Sequence, residues 1–148
     1  MSTTIRDLIA LQQRLNTTAA VFQEALAAKL GLSIKELYTL AILFDTSTIS
    51  TGELAERLSI TPAAVTKITD RLVARGHVAR IPDENDRRRV LITLGHVDTE
   101  EISTATEHYI TRLAQLTNDF SDAERIVIAR YLDGATTLMR ENVASARP

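Results

Sequence analysis

Three consecutive arginines, Arg87-Arg88-Arg89, follow Asp83 and Asp86 in a stretch of turn formers, Pro82-Asp83-Glu84-Asn85-Asp86. Upstream, Thr61-Pro62-Ala63-Ala64-Val65-Thr66-Lys67 leads into Asp70-Arg71 and mixes small residues and hydroxyls with positive charge. Guanidinium and ammonium groups beside short hydroxyl side chains suit contact with phosphates and base edges. They do not by themselves suit bond-making. Ser33, Lys35, Ser50 and Thr51 stand at expected helix starts, where free amides can receive a phosphate, and are further candidates for that contact.

Other chemistries are poorly served. The chain has no Cys, which removes disulfides, thiolate metal sites and thiol redox chemistry. His77, His96 and His108 are scattered. Glu101 and His108 lie seven apart and could share a helix face with Asp98, but without a Cys or a close His pair a solvated acidic face is the better reading. No metal or cofactor is expected. There is no nucleophile elbow, no Gly-rich phosphate loop and no His-Glu-x-x-His helix, so the chain does not read as an enzyme.

The formal net charge of −2 does not single out a nucleic-acid partner, but its distribution does. From Thr61 to Leu91, Lys67, Arg71, Arg75, Arg80, Arg87, Arg88 and Arg89 face Asp70, Asp83, Glu84 and Asp86, a balance of +3. From Gly95 to Glu124, Arg112 stands alone against seven acids, a balance of −6. A basic centre in an acidic remainder localises phosphate contact. No apolar run reaches the roughly 20 residues that cross a bilayer, and the N-terminus has no signal-peptide pattern. A cytoplasmic protein with no membrane partner is expected.

The elements that must position these residues are mostly helical, as 148 residues with five Gly and three Pro suggest. Residues 5–30 carry Leu8, Leu11, Leu15, Ala19, Phe22, Leu26 and Leu30 at steps of three or four, a helix of roughly 39 Å. Gly31 ends it. A stripe of that length calls for a partner beyond its own domain. Ser33–Glu36, Ser50–Glu53, Asp98–Glu101 and Ser121–Glu124 are capping boxes, and Thr61-Pro62 marks a further helix start. The second helix places Leu37, Leu40, Ala41 and Phe44 inward. In the helix from Pro62 to Gly76, the expected stripe is Val65, Ile68, Leu72 and Val73, with Thr66, Lys67, Thr69 and Arg71 on the other face. Leu54–Leu58, a short turn at Ser59-Ile60, and this helix make a helix-turn-helix with the second helix as reader. Past Gly76 the period changes to two. Residues 77–81 and 89–94 read as a β-hairpin with the arginines near its tip, suited to a minor groove. Residues 99–117 and 122 to about 143 form two closing helices.

The run Leu54-Ala55-Glu56-Arg57-Leu58, the helix Val65-Thr66-Lys67 … Asp70-Arg71-Leu72 … Arg75-Gly76, and above all Asp86-Arg87-Arg88-Arg89-Val90-Leu91-Ile92 resemble the MarR family of bacterial winged-helix regulators. The resemblance covers nearly the whole chain. It implies a mainly α fold: a winged helix-turn-helix (three-helix core plus β-hairpin wing) over residues 33–97, with residues 5–31 and 98–145 as a helical dimerisation region. It implies an obligate homodimer that binds double-stranded DNA at a pseudo-palindromic operator, usually as a repressor relieved by a small-molecule effector. By position, Asp86 and Arg88 match a wing pair whose Arg enters the minor groove, and Asp70 matches an acid that pairs with that Arg. Phe22, Tyr38, Phe44 and Tyr109 are candidates for an effector pocket, with core or interface packing as the competing reading. The family usually runs from the second strand into Leu-Thr-x-x-Gly; here the chain reads Leu94-Gly95-His96-Val97-Asp98. The rival reading from another class is a dimeric winged-helix protein-interaction module without DNA binding, which would have no need of three consecutive arginines.

Overall fold

The first helix, α1 (Ile5–Lys29), opens on Thr4, whose side chain accepts from the Asp7 amide while the Asp7 carboxylate accepts from Thr4. The computed structural model describes residues 3–84, 86, 89–95 and 99–145. In chain order there follow α2 (Ile34–Thr46), β1 (Thr48–Ser50), α3 (Thr51–Leu58), α4 (Pro62–Ala74), β2 (Val78–Pro82), β3 (Val90–Leu94), α5 (Thr99–Asn118) and α6 (Asp122–Ser145). The capping boxes at Ser33, Ser50 and Ser121 form as their spacing predicts; the one at Asp98 lies outside the described residues. Gly31 and Gly76 both take left-handed backbone, at φ 61 and 75, directly after α1 and α4.

The chain falls into two compact units that divide after Ile102. In the first, the core is made by Leu37, Leu40 and Leu43 of α2, Leu54 and Leu58 of α3, and Val65, Ile68 and Leu72 of α4, closed by Ile49, Val78 and Ile92 from the sheet. Only the end of α1 joins it, through Leu26, Ala27 and Leu30. Leu8, Leu11, Leu15 and Phe22 on the same stripe are exposed. The second unit carries its own uncovered apolar residues, among them Tyr109, Leu113 and Leu116 on α5 and Ile126, Tyr131 and Leu138 on α6. Arg125 fastens the bend between these helices, donating to the Phe120 carbonyl at 2.7 Å.

The expected hairpin forms between β2 and β3, and a third strand, β1, joins it in the order β1-β3-β2, pairing Ile49 with Ile92. Two other expectations need correction. In α2 the buried face is centred on Leu40 and Leu43, and Ala41 and Phe44 are exposed. The stripe is rotated because two polar residues can be buried there with their partners, Thr39 donating to the Lys35 carbonyl and Glu36 capping Ser33. In α4, Val73 is 37% exposed and Thr69 fully buried. Val73 lies about 90° round the helix from the centre of the stripe, while Thr69 sits within it and donates its hydroxyl hydrogen to the Thr66 carbonyl at 3.0 Å.

The departure after β3 has a steric cause. The Gly95 amide donates to the His77 carbonyl at 2.8 Å, which draws the two backbones together. A Cβ on Gly95 would lie 2.0 Å from the Gly76 carbonyl oxygen. Backbone cannot yield as a flexible side chain would. Gly95→Ala should therefore lower unfolding free energy by at least about 2 kcal/mol in urea denaturation, whereas Gly52→Ala, where added bulk meets nothing within 4 Å, should not.

Candidate nucleic-acid interface

Helix α4 begins as its sequence dictates. The Thr61 side chain accepts from the Ala64 amide at 3.2 Å, and Pro62 takes the first helical position, where no amide is needed. Between α3 and α4, Ser59 takes left-handed backbone at φ 54 and the Ile60 amide donates to the Ala55 carbonyl at 3.1 Å. This short turn lays Val65, Ile68, Thr69 and Leu72 into the core. Thr61, Pro62, Ala63, Thr66, Lys67 and Asp70 are left exposed, with Ala64 half-buried. Ala63 and Lys67 are four residues apart, as are Thr66 and Asp70, and the four form a single outward strip.

Arginines fix this helix to its surroundings. Arg80 of β2 donates through Nη2 to Thr69 Oγ1 at 2.8 Å and to Asp70 Oδ1 at 2.5 Å, tying the hairpin to α4. Arg71 Nε lies 2.8 Å from Glu36 Oε1, and Glu36 Oε2 accepts from the Ser33 amide at 2.7 Å. Arg75 donates to the Gly31 and Leu30 carbonyls at 2.7 and 3.2 Å, at the C-terminal end of α1. That position also suits a cation electrostatically. Arg89 has Glu53 of α3 at 3.8 Å and Asp83 at 4.0 Å, at the loop end of the hairpin ladder. Sequence reasoning missed Arg80 as the partner of Asp70; Arg80, at the centre of a period-two strand, carried no signal beyond its charge. Among the described cations of the basic centre, Lys67 alone has no protein partner. Arg87 and Arg88 lie outside the described residues, and so does the pairing of Asp70 with Arg88. Asp86 is exposed, and its backbone carbonyl accepts from the Arg89 amide at 2.8 Å.

The four residues proposed at helix starts differ in what they offer. Ser33 is exposed, but its side chain serves the Glu36 amide. Ser50 is buried, with its hydroxyl on Glu53. Those bonds, helped by Arg89 and Arg57, hold the Glu53 carboxyl below its usual range. Thr51 is half-buried. Lys35 donates to the Leu58 carbonyl at 3.1 Å, capping the end of α3 from α2. Among the aromatic candidates, the Tyr38 hydroxyl donates to Gln23 Oε1 of α1 at 3.1 Å. Phe22 and Phe44 are exposed, and Tyr109 stands on α5 in the other unit. His77 is buried at the head of β2, and neither ring nitrogen has a hydrogen-bond partner. Asp98 and the Glu101 side chain fall outside the described residues; among those described, no three His, Asp or Glu side chains gather as metal ligands.

Residues 32–90 match the family model of the MarR family. Over 135 residues the chain is 29% identical to an uncharacterized HTH-type transcriptional regulator of Bacillus subtilis, YcgE, spanning 91% of this chain and 88% of that one. It is 29% identical over 119 residues to the HTH-type transcriptional repressor MdtR of the same organism, spanning 78% and 77%. Streptococcus pneumoniae FabT, solved in complex with DNA, shares the fold with a TM-score of 0.66 at 19% identity, covering 92% of this chain and 96% of that one.

Glu36 makes the site's stability pH-dependent. Burial alone would raise its pKa, but the Ser33 amide and hydroxyl and the Arg71 charge outweigh it and hold the carboxyl below its ordinary 4.5. A depressed carboxyl contributes stability in full above its unfolded value and loses it as pH falls through the folded one. Thermal melts should show the wild-type protein losing stability below about pH 4.5 more steeply than Glu36→Gln, with the two curves running parallel near neutrality.

Proposed function

Residues 32–90 belong to the MarR family, and on that footing we propose that the protein is a sequence-specific DNA-binding transcriptional regulator. It acts as a homodimer on a pseudo-palindromic operator, as a repressor relieved by a small-molecule effector. The observation that carries this reading is the exposed strip Ala63-Thr66-Lys67-Asp70 on a helix that is packed on its other side and tied to a hairpin. Such a helix can enter a major groove without first breaking a contact. The relatives support it, being named transcriptional regulators, and the pneumococcal neighbour's structure holds DNA.

In this reading α4 enters the major groove with Thr61, Pro62, Ala63, Ala64, Thr66 and Lys67. Lys67 gives a phosphate or a guanine its one free ammonium. Arg88 enters the minor groove at the wing, and Asp86 and Asp70 orient it as the resemblance implies. Arg71, Arg75, Arg80 and Arg89 hold α4 and the hairpin in place. The dimer is supported by the uncovered apolar stripes of α1, α5 and α6, which a second copy of the chain would cover. A two-fold pair would set its recognition helices roughly 34–36 Å apart, one turn of DNA.

Gel shifts with the DNA just upstream of the protein's own gene test this. Excess unrelated competitor should not displace the complex, and its mass in sedimentation should correspond to two protein chains. Asp86→Ala should weaken binding, although it removes a negative charge close to DNA, because the carboxylate orients the wing arginine. Tighter binding by Asp86→Ala would make Asp86 merely repulsive, and a complex that competitor removes would favour an interaction module.

A further inference from the structure

Resting on the regulator reading above, we propose that α4 selects its operator chiefly through thymine methyl groups in the major groove. The outward strip fixes what kind of base contact is available. Two-point readout uses an Arg or a Lys on the O6 and N7 of guanine and an Asn or Gln amide on adenine, which leaves Lys67 as the strip's single purine reader. Between Pro62 and Asp70 the chain has no Arg, Asn or Gln. Arg71, the next residue, has its Nε on Glu36. Asp70, which could otherwise accept from a cytosine amine, is held by Arg80.

What remains is mostly apolar and small. Ala63 presents a methyl in the first turn, and it is exposed. Thr66, also exposed, donates its hydroxyl hydrogen to the Pro62 carbonyl at 3.1 Å, so its donor is spent within the helix and its methyl is the part left to offer a base edge. Pro62 adds an apolar ring beside them. Such groups match the C5 methyl of thymine, the apolar feature on a major-groove base edge, and small side chains let the helix backbone come close enough to touch it. Lys67, four residues from Ala63, has no protein partner. Its ammonium can bond a single guanine or a phosphate, as a point charge without the fixed plane of an Arg fork, and the other exposed groups of the strip are apolar or already engaged.

The test uses the full-length protein and a duplex it selects from a randomised DNA pool. Each thymine of a half-site is replaced in turn by uracil, which removes the methyl and keeps the pairing. At two or more positions per half-site, uracil should weaken binding about fourfold for each methyl lost, as expected for one buried methyl group. Thr66→Ser, which keeps the hydroxyl and removes only the methyl, should abolish the thymine preference at one of those positions and leave the salt dependence unchanged. Uracil duplexes that bind as well as the thymine originals would overturn the proposal while leaving the regulator reading intact. So would a thymine preference that Thr66→Ser leaves whole at every position. A protein that selects no sequence from the pool would overturn the regulator reading, and this proposal with it.

Discussion

Arg80 reaches from the middle of β2 to both Thr69 and Asp70, and the geometry of the winged helix depends on that contact. Thr69 is fully buried and already donates its hydroxyl hydrogen within α4, so the guanidinium supplies the donor its remaining lone pairs need. The same nitrogen donates to the Asp70 carboxylate on the exposed face. One side chain thus fixes the hairpin to the inward and the outward face of the helix at once. Arg71 and Arg75, one helical turn apart, continue the same logic on the side of α1 and α2. The exposed Arg80–Asp70 pair contributes only about 0–1 kcal/mol to folding, whereas each buried Leu, Val or Ile of the α4 stripe contributes about 1.5–3 kcal/mol. Arg80 therefore governs orientation more than stability. The apolar stripe holds α4 in place, and the guanidiniums decide which way its bare strip faces.

Helix starts were legible from the chain because a capping box is a local device: a hydroxyl and a carboxylate three residues apart satisfy each other whatever surrounds them. Gly76 was legible for a similar reason, since left-handed backbone after a helix favours a residue without a Cβ. The strand β1 was not. Thr48–Ser50 is too short to show a period of two, and it exists only because β3 offers it an edge. The inward faces of α2 and α4 were partly misjudged because hydrophobicity alone was used to find them. Glu36, Thr39 and Thr69 are buried polar residues whose partners lie in their own turn of helix or on another element, and Phe44 and Val73 were displaced outward as a result.

The arginines show the limit most clearly. A count of charge across residues 61–91 cannot distinguish a guanidinium that faces solvent from one that faces a carbonyl or a carboxylate. Arg75 and Arg80 look alike in sequence, yet one closes the end of α1 and the other joins the hairpin to α4. Only Lys67 emerges from the described part of that basic centre without a protein contact. The uncovered stripes of α1, α5 and α6 show the opposite case, where an apolar pattern legible in the sequence stays exposed in the folded chain.

The central claim is that Arg71 and Arg75 are internal struts and that Lys67 is the free cation of α4. The salt dependence of DNA binding tests it directly, because each lost phosphate contact lowers the logarithmic slope by about one. Arg71→Ala and Arg75→Ala should weaken binding with the slope unchanged, through loss of orientation. A slope lowered by about one in either variant would place that guanidinium on the DNA backbone and contradict the account.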